Sequence, residues 1–112
     1  MDKIIQIDGK DVGMRATART PRLYRNWFGR DLVQDMSIIT AAAAKNEPLN
    51  IESLNVFENL AYTFARQYDE TITCTADEWL DGFAVMSIYE VWPHILDLWI
   101  GNQATTSTPK KA

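Results

Sequence analysis

The stretch Arg19-Thr20-Pro21-Arg22-Leu23-Tyr24-Arg25-Asn26-Trp27-Phe28-Gly29-Arg30-Asp31 constrains the fold more than any other part of the chain. Proline at the first helical position has its φ already set and lacks an N–H that would go unsatisfied, so a helix is expected from Pro21, with Thr20 as its cap. Leu23 and Trp27, and likewise Tyr24 and Phe28, stand four apart and share a face, with Arg22 and Arg25 three apart beside them. Gly29 supplies a residue that tolerates left-handed backbone, and Asp31 is placed to cap a second helix from Leu32 to about Lys45. The expectation is a helix, a corner and a longer helix. Rings bordered by guanidinium groups suit either a core with arginines at its rim or a surface that docks another protein.

Before this stretch, Lys3-Ile4-Ile5-Gln6-Ile7 and Val12-Gly13-Met14-Arg15-Ala16-Thr17 flank Asp8-Gly9-Lys10-Asp11, and Asp-Gly between alternating runs predicts a β-hairpin. A lone hairpin is marginal in water, so Ile5, Ile7 and Val12 are expected to pack on helices or on another copy, with a free edge open to self-association. In the second helix Leu32, Met36, Ile39 and Ala43 form one stripe, and Pro48 disfavours helical geometry at Glu47. Asn50 predicts a cap for a third helix, in which Leu54, Phe57, Leu60, Ala61, Phe64 and Tyr68 recur at helical steps while Glu58 and Asn59 point away. Thr75-Ala76-Asp77-Glu78 reads as a capping box opening a fourth helix with Trp79, Phe83 and Met86 on its apolar side. Pro93 either kinks that helix or begins a new one, and Ile88, Trp92, Ile95 and Trp99 continue a stripe beyond it. From Gly101 to Ala112 the chain is polar and without periodicity, and disorder is expected there.

The fold expected is mainly α (α+β): an N-terminal β-hairpin, about four to five helices in one domain over residues 1–100, and a disordered polar tail over 101–112. At 112 residues a modest single core is affordable, and a second domain is not. Met1-Asp2-Lys3 leads into no secretory apolar segment, and charges interrupt the apolar Glu78–Ile100 region before it reaches membrane-spanning length. Neither a leader nor a membrane span is expected.

Charge is split along the chain. Residues 1–45 carry eight basic and five acidic side chains, whereas residues 46–109 carry one basic and ten acidic. Such a division either joins two halves of one fold or steers copies and partners together. With a net charge of −4 the chain is not a general nucleic-acid binder. His94 has no second ligand at metal-binding spacing, and Asp77, Glu78 and Asp81 are explained by the helix start they occupy. Lone Cys74 has neither a disulfide partner nor an activating neighbour. No metal site, cofactor or catalytic residue is expected, and the chain is not read as an enzyme.

The pattern Thr20-Pro21-Arg22-Leu23-Tyr24-Arg25 followed by Phe28-Gly29-Arg30-Asp31 resembles the tail assembly chaperones of long-tailed bacteriophages and prophages of Gram-positive bacteria. Phe57-Glu58-Asn59-Leu60-Ala61-Tyr62, Glu78-Trp79-Leu80-Asp81-Gly82-Phe83 and Ser87-Ile88-Tyr89-Glu90-Val91-Trp92-Pro93 are similar to the same family in the same order. The resemblance implies a non-enzymatic protein of the host cytoplasm that coats the tape-measure protein while tail-tube (major tail) subunits polymerise around it, and that is absent from the mature virion. It also implies a longer product made by ribosomal frameshifting, for which Pro109-Lys110-Lys111 is a compatible position. Arg22, Tyr24, Arg25, Trp27, Trp92 and Trp99 are the candidate partner-binding residues, chosen for expected surface exposure. Two rival readings are a structural virion protein of the tail or connector, and a helix-turn-helix regulator with Arg22, Arg25 and Arg30 on phosphates.

Overall fold

The computed structural model describes residues 1–46 and 50–107. Two strands, β1 (Asp2–Ile7) and β2 (Lys10–Arg15), are followed by six helices among the described residues: α1 (Thr20–Phe28), α2 (Leu32–Ala44), α3 (Ile51–Tyr68), α4 (Ala76–Leu80), α5 (Ser87–Glu90) and α6 (Trp92–Ser107). The strands pair antiparallel with Ile5 opposite Val12 and Lys3 opposite Met14. Asp8 and Gly9 both take positive φ, at 58° and 76°, as a two-residue turn matched to strand twist requires. Lys10 and Asp11, expected in the turn, therefore belong to β2. Alternation buries Ile5, Ile7 and Met14 completely and Val12 in part, so Met14 joins the apolar face named from the sequence.

Helix α3 runs through the centre. The hairpin lies on it through β2 and reaches α6 through β1, while α1, α2 and α4 pack around its other sides. Its second half is consequently buried on all sides: Leu60, Ala61, Tyr62, Thr63, Phe64, Ala65 and Gln67 are all enclosed. The one-sided stripe expected from the sequence is only part of what this helix buries. Asn50 caps it, accepting from the Ser53 amide at 2.8 Å. Each large side chain enclosed here, such as Phe57, contributes about 2 kcal/mol of transfer free energy.

Thr20 differs from its expected role. It is the first residue of α1 rather than its cap, and its hydroxyl is buried, accepting from the Thr17 amide at 2.9 Å and donating to Gln67 Oε1 at 2.6 Å. Gln67 in turn donates to the Thr17 hydroxyl at 2.7 Å, so this closed polar network fastens the hairpin's exit to α3. Gly29 ends α1 at φ 69° with its amide on the Arg25 carbonyl, and Asp31 accepts from the Val33 amide at 3.0 Å to start α2. Leu32, Met36 and Ile39 form the buried stripe of α2, and Asn46 leaves it in left-handed geometry at φ 62°. Glu47 and Pro48 lie outside the described residues.

The capping box at Thr75 is present, with Glu78 Oε1 accepting from the Thr75 amide at 2.9 Å. The helix it opens ends at Leu80, short of the length expected. Gly82 lowers helix propensity by about 1 kcal/mol, and Asp81 sits at the negative end of the helix dipole. Of its expected apolar side, Trp79 and Phe83 are partly buried and Met86 is exposed. Pro93 opens a new helix rather than kinking an old one. That helix, α6, continues past Gly101 to Ser107, since extending a formed helix needs no new nucleus. The rest of the expected tail, residues 108–112, lies outside the described residues. No helix among those described is long and apolar enough to cross a membrane.

Candidate docking surface

The six candidate residues fall into three environments. Arg22 and Arg25 stand in solvent on the outer face of α1. Trp27 is half-buried, its ring edge-on to Tyr62 with centroids 6.0 Å apart and the Arg66 guanidinium 4.2 Å above it. Tyr24 is fully enclosed at 0% exposure and Trp99 nearly so at 7%. Both are core residues, and exposure expected of them from the sequence is corrected: the helical spacing that marked them as a face marks the face turned inward. Trp92 is half-buried at the edge of the core.

Tyr24 is held by an acid the sequence did not single out. Its hydroxyl donates to Asp35 Oδ2 at 2.9 Å, and Arg30 grips both oxygens of the same carboxylate at 2.8 Å. The Arg30 hydrogen bond first, aided by that of Tyr24, holds the Asp35 carboxyl below the usual carboxylate range against the opposing effect of burial. Burial, then Asp35, pushes the Tyr24 hydroxyl well above the usual phenol range. This triad fixes the corner between α1 and α2, and it commits Arg30 to an internal ion pair.

Beside Trp27 a cleft of about 580 Å³ is bordered by Tyr62, Arg66 and Cys74. Arg66 donates to the Tyr62 hydroxyl at 3.0 Å, and that hydroxyl donates to the Cys74 carbonyl at 2.5 Å. These bonds pin the segment between α3 and α4 to the aromatic cluster formed by Tyr24, Phe28, Tyr62, Trp79 and Phe83.

A second concavity, of about 460 Å³, is lined among the described residues by Leu54, Phe57, Met86, Tyr89 and Trp92. Phe57 and Trp92 form its floor, edge to face at 4.6 Å between centroids. Tyr89 closes one side and donates its hydroxyl to Glu58, whose hydrogen bond is the main cause pushing that phenol up to about 12. Glu58, expected to point into solvent, is thus half-buried and engaged. The near rim is apolar and open: Met86 is 57% exposed and Val85, beside it in the chain, 87%.

The early end of α4 creates this rim. Phe83 turns inward and the Lys10 ammonium lies 5.3 Å from its ring while donating to the Gly82 carbonyl at 2.8 Å. The Ala84 amide donates to Asp8 at 3.3 Å. Asp8 in the turn and Lys10 at the start of β2 thereby anchor residues 82–84, and the next two side chains are left facing water. Sequence reading placed Met86 on a buried helix side, and only the weak stop at Asp81-Gly82 pointed to the break.

Chemically the groove offers apolar area, one phenol and one carboxylate, a set suited to holding an apolar surface. Among the described residues no group of three or more His, Cys, Asp or Glu side chains is arranged to hold a metal ion. No family model, curated protein or solved structure matches the chain.

Proposed function

We propose that the protein is a tail assembly chaperone of a long-tailed phage or prophage, which binds apolar helical segments of the tape-measure protein in the host cytoplasm and releases them as tail-tube subunits polymerise. The observation that carries this reading is the open groove of Leu54, Phe57, Met86, Tyr89 and Trp92 with Val85 beside it. Isolated exposed apolar side chains are ordinary, but a concave set continuous with the core is a place where another chain's apolar ridge removes area from water. The sequence resemblance supplies the identity of that chain. Weak, repeated binding along a very long partner suits the task, because many copies then protect it and each is displaced readily. Self-association of copies along the partner fits the same scheme. No catalytic step, metal or cofactor enters it.

Co-expression tests the reading directly. The tape-measure protein encoded with this chain should remain in the supernatant and co-purify with it, and should aggregate when it is expressed alone. Equal aggregation with and without this chain ends the proposal. A structural virion protein is the rival, and mass spectrometry of purified virions separates the two: peptides of this chain in the particle favour the rival. The helix-turn-helix reading is weakened by Arg30, whose guanidinium is occupied by Asp35. The proposed frameshift position, Pro109-Lys110-Lys111, lies outside the described residues, and a slippery heptamer in the encoding DNA is what would support it.

A further inference from the structure

We infer that the groove between α3, α5 and α6 takes an amphipathic helix whose apolar stripe is flanked by lysine or arginine, an inference that rests on the chaperone reading and specifies the chemistry of its partner segment. Three observations lead to it. The groove is open along one side and lined by five apolar or aromatic side chains. About two turns of helix, roughly 11 Å long, present an i, i+3, i+7 ridge of matching size.

The second observation is charge. From Ile51 to Ile100 the chain carries nine acidic residues and a single basic one, Arg66. Arg66 is on another side of α3, spent on Trp27 and Tyr62. At the groove itself Glu58 is fixed by the Tyr89 hydroxyl, and Glu90, next to Tyr89, is exposed. Among the described residues no basic side chain lines the groove. A helix arriving with cations beside its stripe is attracted over roughly a Debye length, about 8 Å, while an acidic one is repelled.

The third observation decides between occupants. A second copy would have to offer a helix of its basic half: α2 exposes Val33 and Ile38 but contains no basic residue, which leaves α1, the helix bearing exposed Arg22 and Arg25. The apolar residues of α1 are already committed, however: Tyr24 is buried, and Trp27 and Phe28 pack on Tyr62 of their own chain. That helix brings cations and no free apolar stripe. The occupant is therefore a helix of a different protein.

The test uses the full chain and two synthetic amphipathic peptides of about 20 residues, long enough to be helical when bound, with one apolar stripe flanked by lysine in one and glutamate in the other. Fluorescence anisotropy of the labelled peptides should show the lysine form bound about tenfold more tightly, with the gap shrinking at high salt. Met86→Ser should weaken the lysine peptide about tenfold, and Glu90→Lys should narrow the preference; both positions are exposed, so folding is spared. Equal binding of the two peptides overturns the cationic flank, and indifference to Met86→Ser overturns the groove. Self-association in sedimentation that is lost in Met86→Ser assigns the groove to a second copy and also overturns the inference. Any of these leaves the chaperone reading intact if the tape-measure protein is still kept in solution. Conversely, peptide preference without that protection defeats the chaperone reading and keeps the groove.

Discussion

Gly13 lies so close beneath the ring of Tyr68 that a β-carbon at residue 13 would sit 2.2 Å from Tyr68 Cε1. The last residue of α3 thus covers the outer face of the hairpin, while Ile5, Ile7, Val12 and Met14 occupy the inner one. Arg15 completes the arrangement, its guanidinium 5.4 Å from the same ring. An aromatic ring over a strand glycine replaces the side-chain packing that glycine lacks.

Gly13→Ala should therefore expel the ring rather than break the strand, because Tyr68 is exposed enough to swing away. The expected destabilisation is about 1 kcal/mol, similar to that of Tyr68→Ala. Once the ring is gone the alanine has room, so the double variant should be no less stable than either single one. Urea denaturation of all four proteins reads this coupling, and simple additivity would show that the two residues act independently.

The Tyr24–Asp35–Arg30 triad makes stability depend on pH at both extremes. Asp35 has a carboxyl pKa lowered in the fold, so its contribution is complete above the ordinary value of 3.8 and is lost as pH falls through the lower folded value. Tyr24 is shifted upward, so its contribution is complete below the ordinary 10.0 and is lost as pH rises through the higher folded value. Asp35→Asn should cost about 2 kcal/mol at neutral pH, since Arg30 loses its charged partner, and should flatten the acid limb of the stability curve. An unchanged acid limb would assign that limb to other carboxylates.

Much of the fold could be read from residues whose structural effect is local. Asp8-Gly9 set the turn, Gly29 and Asp31 the corner, Asn50 and Thr75 two helix starts, and Pro93 the start of the last helix. Each acts on backbone within a few positions. What escaped depends on distant partners: Thr20 prefers Gln67, 47 residues away, to capping its own helix, and Asp8 in the hairpin turn captures the Ala84 amide from 76 residues off. The groove is half legible. Leu54, Phe57, Met86 and Trp92 stand on apolar stripes, but the exposure of Met86 follows from the helix ending at Leu80, before the turn that would have carried Met86 inward. Burial on all sides of α3 is likewise a property of its neighbours, not of its own periodicity.

The Thr20 hydroxyl sits at the centre of the Thr17–Thr20–Gln67 network, accepting from one neighbour and donating to the other. Thr20→Val keeps shape but leaves the Thr17 amide and the Gln67 carbonyl oxygen unmatched in a buried site, at an expected cost of about 2 kcal/mol. Thr20→Ser retains the hydroxyl and should lose less than half of that. If valine and serine prove equal in thermal unfolding, the hydroxyl contributes nothing and the methyl group is what matters.

Val85 and Met86 should separate binding from folding. Both side chains are mostly in water, so replacing them with serine forfeits little buried area, and the double variant should unfold within about 0.5 kcal/mol of the parent. The same change removes the apolar rim that an incoming helix must cover. Protection of the tape-measure protein on co-expression should fall sharply, while the isolated variant stays as compact by sedimentation as the parent. The contrast with Trp92→Ala is instructive, because Trp92 supports Phe57 at 4.6 Å and its loss should lower both stability and binding. A rim variant that protects as well as the parent would move the binding surface elsewhere, and exposed Arg22 and Arg25 on the opposite-charge half of the chain would be the next residues to change.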